Sequence, residues 1–370
     1  MKTIIVFSHL RWGTVFDRPQ QIMTRLAHNY KIIYVEEPVC TGDVYIAATQ
    51  VAPNVKVLVP HTVENGLGFN DAQMAVIGPM LKSWLIYHAD VEDGYGFWFY
   101  TPQALPLKDA FGPEFLVFDI MDEFIPSPSI VKDRETELIR IADIVIAEGP
   151  SLTRANIEAR PDILSLPSGV DAVHYSPTRV SEAEAAARKV DSLQHHIPHP
   201  RLGYFGTIND RIDIDLITEI TSTDPRWHVV MVGPFEGLDP SDIPQRQNLH
   251  WLGAQPYSLL PKMVHGWDVC LIPFNVDDST VLCSPTKTLE YLAAEKPVVS
   301  TGVPDVVELY GNVVTVGTDH DAFIEGIKTA LAETDQEKAD RISAARLVID
   351  ASNWNDIVET IHQAIMTATN

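Results

Sequence analysis

The sequence predicts an α/β protein made of two successive doubly wound, Rossmann-like units. Three observations carry this. Short, near-continuous Val/Ile/Phe runs alternate with helical patterns, as parallel strands do when both faces are covered. A stretch rich in Pro, Ala and Glu interrupts the alternation once, at 176–200, and the alternation then restarts. The 370 residues, 45% of them apolar, suffice for two cores.

The elements follow in order. Strands are expected at 3–8, 32–35, 97–100, 115–118, 144–147 and 163–166, with helices at 18–29, 71–89, 129–141 and 151–159. The stretch VYIAATQVAPNVKVLVP, around Pro53 and Asn54, reads instead as a hairpin or a pair of edge strands. After the junction, strands are expected at 202–205, 227–232, 249–252, 269–273, 297–300 and 313–316, with helical segments between them. An amphipathic helix at 353–369 closes the chain. The expected division is therefore 1–178, a linker at 179–200, a second domain at 201–352, and a final helix at 353–370. Ligands of such sheets bind at the carboxyl ends of the strands, and the cleft between two such domains is the default site.

Composition narrows the function. The net charge is −23 and both halves are acidic, which argues against a nucleic-acid groove, since phosphate neutralisation needs a basic face. Cys40, Cys270 and Cys283 are too few and too scattered for a disulfide framework or a zinc spacing, so a reducing cytoplasm fits best. The opening MKTIIVFSHLRW has too short an apolar run for a signal peptide, and no run reaches the length of a membrane span. Peripheral contact at the inner face of a membrane stays compatible with this. Nothing here sets an oligomeric state.

The candidate residues sit after strands. In LGYFGTINDRIDIDLI, Gly206 ends a strand and allows close backbone approach, while Arg211 stands where a diphosphate could be held. The ordinary alternative pairs Arg211 with Asp213 or Asp215. Gly233, in MVGPFEG, marks a turn that suits either a nucleotide base or nothing. In SPTKTLEYLAAEKPVVS, Ser284 and Pro285 suit a helix start, with Thr286 and Lys287 at its positive end. Glu290 follows on the same face and can accept two hydroxyl hydrogen bonds, as from a ribose. The bland alternative is an exposed ion pair between Lys287 and Glu290. In the first unit His9 ends strand one, Trp12 and Gly13 form an aromatic loop, and Arg18 opens the next helix. Asp119, Asp122 and Glu123 follow another strand and suit hydroxyl binding or base chemistry, or else a capping turn.

Taken together, LPSGVDAVHYSP, SPTKTLEYLAAEKPVVST and RPQQIMTRLA resemble the GT-B glycosyltransferases of family 4, or glycosyl transferases group 1, from bacterial surface-polysaccharide pathways. The resemblance spans nearly the whole chain. It implies a sugar nucleotide, with uridine the expected base, held by the second domain. Glu290 would hold the ribose, and Thr286, Lys287 and Arg211 the diphosphate. A glycan or lipid-linked acceptor would lie near His9, Trp12, Gly13 and Arg18, with Asp119, Asp122 and Glu123 close by. It implies no metal and no further cofactor, and a last helix crossing back to the first domain. It favours a retaining mechanism. An inverting enzyme with His9 as base, oriented by Asp119, is the alternative. An epimerase or hydrolase of the same fold, and a non-catalytic binding subunit, are others. The chain departs from the pattern twice. Leu282 stands where the family often has a second glutamate, leaving Asp277, Asp278 or Ser279 to meet the sugar. Glu295 replaces a helix-ending glycine, at a cost of about 1 kcal/mol if its φ is positive.

Overall fold

The computed structural model describes residues 1–66, 68–88, 94–121, 129–181, 193–239 and 243–369. The chain divides into two compact units, 1–167 with 354–370, and 168–353. The first contains β1 (Thr3–Ser8), α1 (Arg18–Leu26), β2 (Lys31–Glu36), β3 (Val39–Cys40), β4 (Tyr45–Ala52), β5 (Val55–Thr62), α2 (Asp71–His88), β6 (Tyr95–Phe99), α3 (Leu107–Phe111), β7 (Leu116–Ile120), α4 (Ser129–Ile141), β8 (Ile144–Ala147), α5 (Pro150–Asn156) and β9 (Leu164–Ser165). The second contains α6 (Ala172–Tyr175), α7 (Pro177–Ser181), β10 (Arg201–Phe205), α8 (Ile214–Thr223), β11 (His228–Val232), β12 (Leu249–Trp251), α9 (Leu260–His265), β13 (Val269–Ile272), α10 (Lys287–Ala293), β14 (Val298–Thr301), α11 (Pro304–Tyr310), β15 (Thr315–Gly317), α12 (His320–Leu331) and α13 (Asp335–Ala351). The last helix, α14 (Trp354–Ala368), returns to the first unit.

Among the described residues the first sheet runs β3-β5-β2-β1-β6-β7-β8-β9. Its pairs are parallel except β4 with β5, the expected hairpin, which turns through Asn54 at φ +57°. The second sheet runs β12-β11-β10-β13-β14-β15, all parallel. Strand order reverses beside β1 in the first unit and beside β10 in the second. At such a switch point the loops leaving neighbouring strands diverge and open a crevice at the carboxyl edge.

Packing follows from strands buried on both faces. Ile4 and Val6 share one core with Ile22 and Met23 of α1, and with Trp354, Val358, Ile361 and Ile365 of α14. Each of those α14 side chains contributes about 1.5–3 kcal/mol at most by leaving water, enough to hold a terminal helix in place. On the other face Phe7 meets Phe97 edge-on at 4.9 Å and stacks on Phe99 at 5.5 Å. In the second unit the buried Trp267 indole lies over Gly203 of β10, where any Cβ would collide with it.

The boundary between units falls before Ser168, earlier than the expected 178. Val170 and Tyr175 are buried in the second core, and the Val170 amide donates to the Ser352 carbonyl at 2.8 Å. Packing decides this boundary, and local composition does not report it. Most of the expected linker helix, 182–192, lies outside the described residues.

Candidate functional site

In the second unit the loops after β10 and β13, neighbours across the switch point, are stitched together. The Asn275 amide donates to the Arg211 carbonyl at 2.8 Å, and the Asn275 side chain donates to the Asp210 carbonyl at 2.8 Å. The Arg211 guanidinium reaches Cys283 Sγ at 4.0 Å. Arg211, Lys287 and Glu290 are all half-buried.

Gly206 and Gly233 end β10 and β11 with φ of +147° and +156°, a region that side-chain-bearing residues rarely enter. A Cβ on Gly206 would lie 2.5 Å from the Tyr204 hydroxyl and 3.4 Å from Lys287 Cε. A Cβ on Gly233 would collide with the Gly206 carbonyl oxygen. The two glycine backbones and the lysine stem therefore meet at one spot on the sheet edge.

The helix expected to start at Ser284 and Pro285 starts later, as α10 at Lys287. Thr286 precedes it in helical conformation with no side-chain cap. The Lys287 ammonium donates to Thr286 Oγ1 at 3.0 Å. Glu290 stands on the next turn and its Oε1 accepts from the Tyr175 hydroxyl at 3.0 Å. Tyr175 was not anticipated, because only tertiary packing brings it there. Asp278 is exposed on the turn before α10, while Asp277 Oδ1 caps that turn, accepting from the Ser279 amide at 2.8 Å. Asp213 caps α8 through the Leu216 amide at 2.8 Å and pairs with His320 at 2.9 Å.

The first unit's edge is built otherwise. Arg18 and Asp119 are both fully buried and face each other, with Nη2 3.1 Å from Oδ1. Arg18 Nη1 donates to the Leu166 carbonyl at 2.9 Å. Burial works against the Arg18 charge, but the carboxylates of Asp119 and Glu148 outweigh it and hold the guanidinium protonated. Burial pushes the Asp119 carboxyl up, and Arg18 pulls it back. The expectations that Arg18 meets the acceptor and Asp119 does base chemistry lose their geometric basis, since neither offers surface to a ligand. The pair braces α1 against β7 and the end of β9.

His9 is half-buried at the end of β1, and Trp12 follows in a loop held to β2. The Trp12 amide donates to Glu36 Oε1 at 2.8 Å, Arg11 pairs with Glu36 Oε2 at 2.9 Å, and the Trp12 ring meets Tyr34 edge-on at 5.0 Å. Gly13 is exposed in open space, so no close approach there demands glycine. Asp122 and Glu123 lie outside the described residues.

Two more residues join this edge. Glu37 Oε1 and Gln103 Oε1 lie 2.9 and 2.6 Å from where a Cβ on Gly68 would stand, and Gly68 has a φ of +65°. Gln103 Oε1 is buried with no partner among the described residues. Burial raises the Glu37 carboxyl above its ordinary range, against the pull of Arg11. Two acceptor oxygens thus converge beside Gly68, the one on Gln103 shut off from solvent. The Glu-Glu pair closing an apolar run was the available sequence signal for Glu37. Among the described residues, no helix is long and apolar enough to cross a membrane.

Comparison with known proteins gives a consistent picture. Residues 199–333 match the family of glycosyl transferases group 1. A putative teichuronic acid biosynthesis glycosyltransferase of Bacillus subtilis, TuaH, is 23% identical over 242 residues, 63% of this chain and 59% of that protein. Anabaena HepE in complex with UDP and glucose superposes with a TM-score of 0.73 at 14% identity, over 99% of this chain and all (100%) of that one. Sucrose-phosphate synthase from Thermosynechococcus elongatus gives 0.72 at 15% identity, over 99% of each chain. These likenesses establish the fold along the chain as GT-B, as the sequence motifs implied.

Proposed function

From a chain with the GT-B fold and a group 1 glycosyltransferase match over 199–333, we propose an enzyme that transfers a sugar from UDP to a hydroxyl of a surface-glycan or lipid-linked acceptor. The observation that carries this is the meeting of Gly206, Gly233 and Lys287 at the second sheet's switch point, with Glu290 one turn on. Lys287 and Arg211 offset the charge of a diphosphate at this edge, and Glu290 accepts from the ribose hydroxyls. UDP in the HepE complex and the teichuronic-acid role in the name of TuaH support the donor and the acceptor class.

In the reaction the bond from the anomeric carbon to the diphosphate oxygen breaks, and a bond from that carbon to the acceptor oxygen forms. Lys287 and Arg211 stabilise the charge gathering on the departing UDP, so this reading assigns no metal. In the retaining form the acceptor proton passes to the leaving diphosphate. The inverting form gives that proton to His9. Glu37, half-buried at this edge, supplies the acceptor side with a carboxylate for hydroxyl donors. This reading assigns Asp278, exposed on the turn before α10, to the donor sugar in a chain where Leu282 offers no carboxylate.

Titration calorimetry with UDP and a panel of UDP-sugars tests the donor. Micromolar to millimolar binding of UDP is expected, and no heat and no rise in melting temperature with any nucleoside diphosphate would overturn the reading.

A further inference from the structure

The segment just after the unit boundary does more than connect. α6 is capped by Asp171, whose side chain accepts from the His174 amide at 3.0 Å. The His174 ring stacks on Tyr257 at 4.3 Å, and the Tyr175 carbonyl accepts from His265 Nε2 at 2.9 Å. These three ties anchor α6, and the Tyr175 side chain it carries has no exposed surface. Its ring lies parallel to Phe205, 6° from coplanar at 6.3 Å. Phe205 is the last residue of β10, immediately before Gly206, and meets Tyr291 of α10 edge-on at 5.2 Å. The Phe205 amide donates to the Tyr291 hydroxyl at 3.0 Å.

Tyr175, Phe205 and Tyr291 thus form one buried bracket with Gly206 at one end and Glu290 at the other. We infer that Tyr175 is a positioning residue of the nucleotide site, its hydroxyl fixing the Glu290 carboxylate in the orientation that accepts the ribose hydroxyls. This rests on the donor-site reading above. A glutamate on a helix has three rotatable side-chain bonds, and unanchored it samples several rotamers. A charge-assisted hydrogen bond from a buried phenol selects one in advance. Burial, and then the Glu290 charge, push the Tyr175 pKa well up, so the phenol stays a donor at any ordinary pH.

The test compares UDP with 2′-deoxy-UDP by calorimetry on wild type, Tyr175→Phe and Glu290→Ala. Wild type should prefer UDP. Y175F should bind UDP about fivefold to tenfold more weakly, narrow the preference over 2′-deoxy-UDP, and add no further loss in the Glu290→Ala background. A purely structural Tyr175 would weaken both nucleotides equally and in both backgrounds, and that result overturns the inference. Should Y175F not fold, Glu290→Asp keeps the charge but withdraws it from the phenol. It should narrow the preference in the same way, and an unchanged preference counts against the proposal. Wild type that binds no nucleoside diphosphate overturns the donor site itself, whereas normal wild-type binding with an unaltered Y175F overturns only the role of Tyr175.

Discussion

The two sheets end in two different kinds of polar edge. On the first, the strongest charges are spent within the protein: Arg18 on Asp119, and Glu36 on Arg11 and the Trp12 amide. On the second, Arg211, Lys287 and Glu290 are anchored but half-buried, beside two glycines packed against one another. Both look alike as sequence, acids and bases just past apolar runs. Burial separates them. A fully buried ion pair sets the shape of a fold, because its groups offer no surface to a ligand, whereas a half-buried charge can still meet one.

The largest expected effect breaks the first edge. Asp119→Asn keeps the size of the side chain and leaves Arg18 as a buried cation facing a neutral amide. A stability loss of about 3–5 kcal/mol is expected by denaturant titration. If Asp119→Asn keeps its stability and loses only turnover, Asp119 belongs to the chemistry and the contrast between the edges fails. The second edge should respond in reverse. Lys287→Ala should cut turnover by about 10²–10³, the scale of losing one group that stabilises developing charge, while the unfolding midpoint moves by no more than about 0.5 kcal/mol. Steady-state rates beside chemical denaturation of the same preparation read both quantities. A stability loss as large as that of Asp119→Asn would make Lys287 scaffold too.

These differences explain what the sequence could and could not show. The strands were legible because parallel strands buried on both faces must be apolar throughout. β1, β8 and α4 have the expected bounds, and even the hairpin around Asn54 was visible. Gly206, Lys287 and Glu290, which the structure places on one edge, could be singled out because a strand-ending glycine and charge on a helix turn leave local marks. Arg18 and Asp119 were misread because their partners lie 101 residues apart in the chain, and no local pattern distinguishes a paired acid from an available one. Tyr175 was missed for the same reason: it meets Glu290 115 residues away and looks, locally, like one more apolar residue before a proline.

The smallest expected effect sharpens the second edge, at the far end of the helix that carries Lys287 and Glu290. α10 ends with the Lys296 amide donating to the Tyr291 carbonyl at 3.1 Å and the Glu295 amide donating to the Leu292 carbonyl at 2.9 Å. That is the left-handed closure usually made with glycine. Here Glu295 makes it, at φ +59°, which meets the condition for strain stated from the sequence. A left-handed residue with a Cβ costs about 1–2 kcal/mol, while glycine costs about 0.4–1 kcal/mol through the freedom of the unfolded chain. Glu295→Gly should therefore be neutral or more stable by up to about 1 kcal/mol. The ion pair it loses, with Arg346 at 3.4 Å, is largely exposed on the arginine side and is worth little. Glu295→Ala loses the same ion pair and keeps the strain, so it should fall about 1 kcal/mol below Glu295→Gly. Because the Glu295 carbonyl, which accepts from Arg341 at 3.2 Å, is present in all three, the comparison isolates the backbone. Equal stability of the alanine and glycine variants would remove strain as the account of this turn. Unchanged nucleotide binding in both would show that the anchoring of Lys287 and Glu290 is set at the start of the helix, by Tyr175 and the glycine edge, and not at its exit.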